Sequence, residues 1–244
     1  MKLFCFPYAG GLPSIYYSWK RALPPAFLEI EPFEVRSFTH FQSENTILPT
    51  SFYELLEQVY QRIKPELVGG PFAFFGHSMG GLMAFELTRK LVQSGEPLPQ
   101  HLFLSASRVP HAYHKLEKTY HLPHNEFIEA LRNLEGTPDE VLDNQEMLEL
   151  FLPMIRADFQ AVQTYEMDAN LPRQVPVNMS VLYGREDSIE LNDILGWRDY
   201  CESECRFYPF PGGHFFIHHQ MNPIIDIIQQ VLNVERTVAI RTQR

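Results

Sequence analysis

Gly76-His77-Ser78-Met79-Gly80 sets a serine between two glycines in the form G-x-S-x-G. Before it runs the apolar stretch Phe72-Ala73-Phe74-Phe75, and after it a helical pattern opens at Gly81-Leu82-Met83-Ala84. That context is what a nucleophile elbow requires. The serine takes a strained backbone position, and the flanking glycines let strand and helix pass closely. The helix start then aims its dipole and free N–H groups at developing negative charge. The chemistry would be attack of the Ser78 hydroxyl on an acyl carbon. The competing interpretation is a glycine-flanked turn with an idle serine.

A serine hydroxyl is a weak nucleophile without a base, and the base needs an acid to fix its tautomer. On an open α/β sheet the order along the chain is serine, acid, histidine. Asp187 fits the acid because it follows the apolar run Val177–Tyr183 through Gly184-Arg185-Glu186. Glu186 and Asp193 are its rivals. His214 fits the base, in Pro211-Gly212-Gly213-His214-Phe215-Phe216, where glycines allow the imidazole to reach back over the sheet edge. Of the ten histidines, only His214, His218 and His219 come after the acid. His77, inside the elbow, is expected to pack against neighbours. Two backbone amides are expected to form an oxyanion hole. One is that of Met79, after the nucleophile, and the other that of Ala9 in Pro7-Tyr8-Ala9-Gly10-Gly11, with Tyr8 as the near alternative.

These residues need a scaffold. Short apolar runs alternate with helical patterns, the signature of parallel strands joined by helices. Strands are expected at Lys2–Phe6, Leu28–Val35 (weakened by Pro32), Pro71–Phe75, His101–Ser105, Val177–Tyr183 and Cys205–Pro209. Helices are expected at Thr50–Lys64, Gly80–Val92 with Gly95 as its cap, and Asn222–Val234. Between the strands at 101–105 and 177–183 the chain is far longer than the dozen or so residues a crossover needs. Pro110–Pro123 has no clear period, whereas Asn125–Leu134 and Gln145–Met167 have helical spacing. The expected fold is a single α/β-hydrolase domain over 1–244, with a mostly parallel central sheet flanked by helices. A helical lid is inserted at 108–172.

Composition narrows the function. With 30 acidic against 20 basic side chains, the formal charge of -10 argues against nucleic acid and anionic membrane surfaces. Three cysteines are too few and too odd for a disulfide framework, and Cys201 and Cys205 lack the partners of a metal site. No metal and no cofactor of the protein's own is expected. No apolar stretch reaches the roughly 20 residues of a membrane span. The opening run breaks at Gly10-Gly11 too soon for a signal peptide. A cytoplasmic monomer is the default expectation.

Taken together, the chain resembles the type II (editing) thioesterases of nonribosomal peptide and polyketide synthases. The resemblance rests on Phe6-Pro7-Tyr8-Ala9-Gly10-Gly11, the Gly76–Gly81 elbow and Ser105-Ala106-Ser107. It rests also on His121-Leu122-Pro123, Phe151-Leu152-Pro153 with Arg156-Ala157-Asp158, and Gly212-Gly213-His214-Phe215-Phe216. It implies hydrolysis of acyl or aminoacyl thioesters on the phosphopantetheine arm of a carrier protein, which would be the partner. One departure stands out: the family's Pro-Gly-Arg-Gly stretch is replaced by Arg36-Ser37-Phe38-Thr39-His40-Phe41. Carrier proteins are themselves acidic, so docking would call for a local basic or apolar patch, for which Arg108, His111, His114, Lys115 and Lys118 are candidates. The alternatives are a general carboxylesterase or lipase with the same triad, and a hydrolase-fold binding module without activity.

Overall fold

The computed structural model describes residues 1–23, 28–36, 48–134, 136–137 and 139–242; of 139, 140 and 233–242 only the backbone is described. Six strands form one sheet: β1 (Lys2–Phe6), β2 (Glu29–Pro32), β3 (Phe72–His77), β4 (His101–Ser105), β5 (Asn178–Gly184) and β6 (Cys205–Phe210). Their order is β2-β1-β3-β4-β5-β6 and every pairing is parallel. Parallel strands are buried on both faces and so read as continuous apolar runs. Successive side chains still point to opposite faces. Phe4, Phe6, Phe72 and Phe74 enter one core with α2 (Phe52–Ile63) and α3 (Met79–Ser94). Leu3, Cys5, Ala73 and Phe75 enter the other, beside Trp19 of α1 (Tyr17–Ala22) and Ile224 and Ile228 of the terminal helix.

Between β4 and β5 lie α4 (His124–Asn133), α5 (Asp139–Leu142) and α6 (Gln145–Gln163). They bury a small core of their own around Phe127, Leu131, Leu152 and Ile155. We call this stretch the cap segment. After β5 come α7 (Leu191–Leu195) and, last, α8 (Met221–Thr242).

Several boundaries differ from the expected ones for local reasons. The second strand is only Glu29–Pro32. Pro32 is tolerated because β2 is the edge strand and the Pro32 nitrogen faces away from β1. The last ladder contact is the Phe33 amide on the Cys5 carbonyl at 2.9 Å. The helix expected to reach Met167 stops at Gln163: Thr164 leaves helical geometry and Tyr165 turns in to donate its hydroxyl to Glu86 Oε1 at 2.5 Å. Helix α8 continues to Thr242, beyond the expected Val234. Gly95 caps α3 with φ +63°, in the left-handed region as expected. Among the described residues, no helix is long and apolar enough to cross a membrane.

Strand order reverses direction at β1, which lies between β2 and β3. In open α/β sheets the loops leaving the carboxyl ends of the two strands at such a point diverge and open a crevice. Here those loops are Pro7–Gly11 and the Ser78 elbow.

Candidate active site

Ser78 sits between β3 and α3 with φ +55° and ψ −115°, a conformation that side chains beyond glycine rarely adopt. The surroundings hold it there. Its amide donates to the Ser105 carbonyl of the neighbouring strand at 2.8 Å, and its carbonyl accepts from Gly81 and Leu82. The glycines are required by close approach. A Cβ on Gly76 would overlap the Gly80 carbonyl, and one on Gly80 would overlap the Phe6 carbonyl. Neither turn could form around an alanine without displacing backbone.

His214 Nε2 lies 3.0 Å from Ser78 Oγ, and His214 Nδ1 lies 2.9 Å from Asp187 Oδ2. Because an ionised carboxylate only accepts, the proton belongs on Nδ1, which leaves the Nε2 lone pair for the serine hydroxyl. Asp187 is itself fixed: its other oxygen accepts the Ile189 amide at 3.1 Å, and its amide closes a turn onto Gly184. The side chain of Asp187 is 2% exposed, so the pair works in a poorly screened environment.

The rivals are committed elsewhere. Glu186 accepts the Gly212 amide and so ties down the loop that carries His214. Asp193 holds Lys115. His218 meets the Tyr8 hydroxyl at 3.1 Å. Buried His77 reaches Ser105 Oγ through Nδ1 at 2.9 Å and packs edge-on to Tyr8 and His214. Burial, with His214 and His218 nearby, holds its pKa well below the ordinary histidine value, so it stays neutral.

Ala9 and Met79 both face the cavity that contains Ser78 and His214. Met79 is the first residue of α3, where an amide has no partner within the helix. The loop that carries Ala9 is anchored at both flanks. Tyr8 stacks edge-on to Phe215, and the Gly10 amide donates to Asp158 Oδ2 at 2.8 Å.

The cavity has a volume of about 720 Å³ and runs from Ser78 beneath the cap segment. Its inner wall includes Ala106, Tyr113, Leu131, Phe159, Val162 and Ile189, while Arg108, Glu117, Glu126 and Glu129 bring charge. The cap closes directly on the histidine loop: a Cβ on Gly136 would overlap the Phe215 ring. Such a site can enclose an acyl chain of several carbons and offer its carbonyl to Ser78. Among the described residues no cluster of three or more His, Cys, Asp or Glu is placed to hold a metal ion.

The basic cluster on the cap is less cationic than its composition suggests. Lys115 lies 2.9 Å from both Asp193 oxygens and 3.1 Å from Glu190, and His111 is bonded to the Tyr200 hydroxyl. Arg108 is half-buried at the cavity. In the departing stretch at 36–41, residues 37–41 lie outside the described residues. Arg36 is described: it is buried and ion-paired with Asp158 of α6. The sequence carries no signal for this role of Asp158, because nothing in a helical pattern tells which distant loop a buried carboxylate meets.

Comparison with known proteins agrees with this geometry. A family model described as a thioesterase domain matches residues 1–232. The gramicidin S biosynthesis protein GrsT of Aneurinibacillus migulanus is 33% identical over 96% of this chain and 90% of that protein. The thioesterase PikA5 of Streptomyces venezuelae is 31% identical over 97% of this chain and 82% of that protein. Among solved structures, ClbQ from the colibactin nonribosomal peptide/polyketide synthase pathway superposes with a TM-score of 0.87. It is 28% identical and covers 97% of this chain and 98% of its own. The chain belongs to the thioesterase family, as a hydrolase of thioesters on the α/β-hydrolase fold.

Proposed function

We propose that the protein is a type II thioesterase of a nonribosomal peptide or polyketide pathway, which frees acyl or aminoacyl groups from the phosphopantetheine arm of a carrier protein. The observation that carries this reading is the continuous relay Asp187–His214–Ser78, opening into a largely apolar cavity beneath the cap. Full-length similarity to GrsT and to ClbQ supports the pathway class.

In the first half-reaction His214 Nε2 takes the Ser78 proton as Oγ attacks the thioester carbonyl. The tetrahedral oxyanion is held by the Met79 and Ala9 amides. Collapse breaks the C–S bond, and the pantetheine thiolate leaves with the proton from His214. Water then enters and gives its proton to His214. It attacks the acyl-enzyme, and the carboxylic acid departs as Ser78 regains its proton. Asp187 stabilises the imidazolium formed in each half.

The test compares turnover of one acyl group presented on a carrier protein, on coenzyme A and as a p-nitrophenyl ester. The carrier-bound thioester should give the highest kcat/KM. If the free ester is hydrolysed as fast or faster, a general carboxylesterase replaces this reading.

A further inference from the structure

Tyr8, Ala9, Gly10 and Gly11 form a tight turn. The Gly11 amide donates to the Tyr8 carbonyl at 2.8 Å, and Gly10 has φ +75° while Ala9 has no positive φ. A positive φ at the third position is that of a type II turn. Such a turn has one loosely determined element, the central peptide, here Ala9–Gly10. Rotation of that peptide would exchange the directions of the Ala9 carbonyl and the Gly10 N–H.

In this protein the central peptide is pinned from the cap. The Gly10 N–H donates to Asp158 Oδ2 at 2.8 Å. Rotation would instead aim the Ala9 carbonyl at a carboxylate, oxygen against oxygen. The same helix, α6, presses on the turn through Ile155: a Cβ on Gly10 would lie 3.0 Å from its Cγ1. Burial raises the Asp158 pKa above the ordinary carboxylate value, and Arg36, buried behind and paired with the other oxygen, counters part of that rise, as does the Gly10 amide. Asp158 touches neither Ser78 nor His214, and the triad geometry does not need it. Its contact is with the Ala9–Gly10 peptide, which shares the Ala9 Cα with the Tyr8–Ala9 peptide that carries the Ala9 N–H, so it acts on the donor through the fixed shape of the turn.

We infer that Asp158 is a positioning residue for the oxyanion loop, so that the loop is set for hydrolysis only while helix α6 of the cap is seated on it. The inference rests on the proposed role of the Ala9 amide. Oxyanion donors act only within a few tenths of an ångström of the developing charge, and a loose turn forfeits transition-state binding while leaving substrate binding intact. Cap position and chemical competence are thereby coupled through the Asp158–Gly10 hydrogen bond and the Ile155 contact beside it.

Single substitutions would strand a buried charge, so the test uses two double variants. Arg36→Met/Asp158→Asn removes the ion pair and keeps an acceptor for the Gly10 amide. Arg36→Met/Asp158→Leu removes both, with Arg36→Met/Asp158→Ala as the substitute if leucine prevents folding. Each is checked by thermal melting and assayed with p-nitrophenyl butyrate beside Ser78→Ala. The Asn variant should keep kcat close to that of the wild type. The Leu or Ala variant should lose about ten- to hundredfold in kcat with KM nearly unchanged. It should also lose affinity for an acyl trifluoromethyl ketone, which binds as an oxyanion, by a similar factor. Equal kcat in the folded Asn and Leu or Ala variants would overturn the positioning role while leaving the triad reading in place. Full activity in Ser78→Ala would overturn both.

Discussion

The imidazole of His214 is held between two oxygens, with Asp187 Oδ2 at 2.9 Å from Nδ1 and Ser78 Oγ at 3.0 Å from Nε2. The neighbouring carboxylate, Glu186, takes no part in that line and binds the Gly212 amide. Two adjacent acids therefore have separable tasks, one holding the tautomer of the ring and the other holding the loop under it. Asp187→Asn should lower kcat by roughly 10⁴-fold, because the amide favours the wrong imidazole tautomer. Glu186→Gln keeps an acceptor for Gly212 and should retain most activity. Steady-state kinetics on a single ester checks both, and a larger loss in Glu186→Gln would move the acid to that residue.

His77 gives a pH signature. Its pKa is depressed in the folded protein by burial, so the unfolded chain binds a proton there first, near pH 6.5. Its neutral form is the ground state of both folded and unfolded chains above that pH. As pH falls from about 6.5 toward the folded pKa, the unfolded state gains a proton the folded state refuses, and stability drops by up to about 1.4 kcal/mol per pH unit. Urea unfolding at pH 7.5, 6.5 and 5.5 should show this decline in the wild type and a shallower one in His77→Gln. Parallel slopes in the two proteins would show that His77 does not contribute.

A buried polar knot fastens the return of the cap segment to α3. Arg89 forks onto Glu86 at 2.7 Å and also donates to the carbonyls of Asp168, Leu171 and Pro172. Both side chains are fully buried. Arg89→Met leaves a buried carboxylate and three carbonyls without their donor, at an expected cost of about 3–5 kcal/mol. Glu86→Gln keeps an acceptor for the Tyr165 hydroxyl but leaves the buried Arg89 guanidinium without its counter-charge, so it too should cost about 3–5 kcal/mol, and Arg89→Met/Glu86→Gln should cost less than the two singles summed. Denaturant unfolding of the three variants checks this; additive costs would mean that the two side chains are not coupled.

The parts of this molecule legible from sequence are those with a local signal. Gly76 and Gly80 mark the elbow because backbone atoms occupy the space a Cβ would need. Asp187 and His214 can be picked out by chain order, since each lies in the loop that follows a strand at the same sheet edge. The core strands were legible as apolar runs because a parallel sheet is buried on both faces. What stayed illegible depends on long-range partners. Lys115 looks like a free cation until Glu190 and Asp193, far along the chain, close on it. Tyr165 fits a helical pattern, yet leaves the helix for Glu86. The Asp158–Gly10 bond joins positions 148 residues apart, and no spacing rule could pair them.

The proposed reaction is tested most directly by intact-mass spectrometry of an acyl-phosphopantetheinyl carrier protein incubated with wild-type enzyme and with Ser78→Ala. The expected result is loss of the acyl mass to give the free pantetheinyl carrier with the wild type, and an unchanged carrier with Ser78→Ala. A carrier that keeps its acyl group in the presence of wild-type enzyme that still hydrolyses p-nitrophenyl butyrate would contradict it.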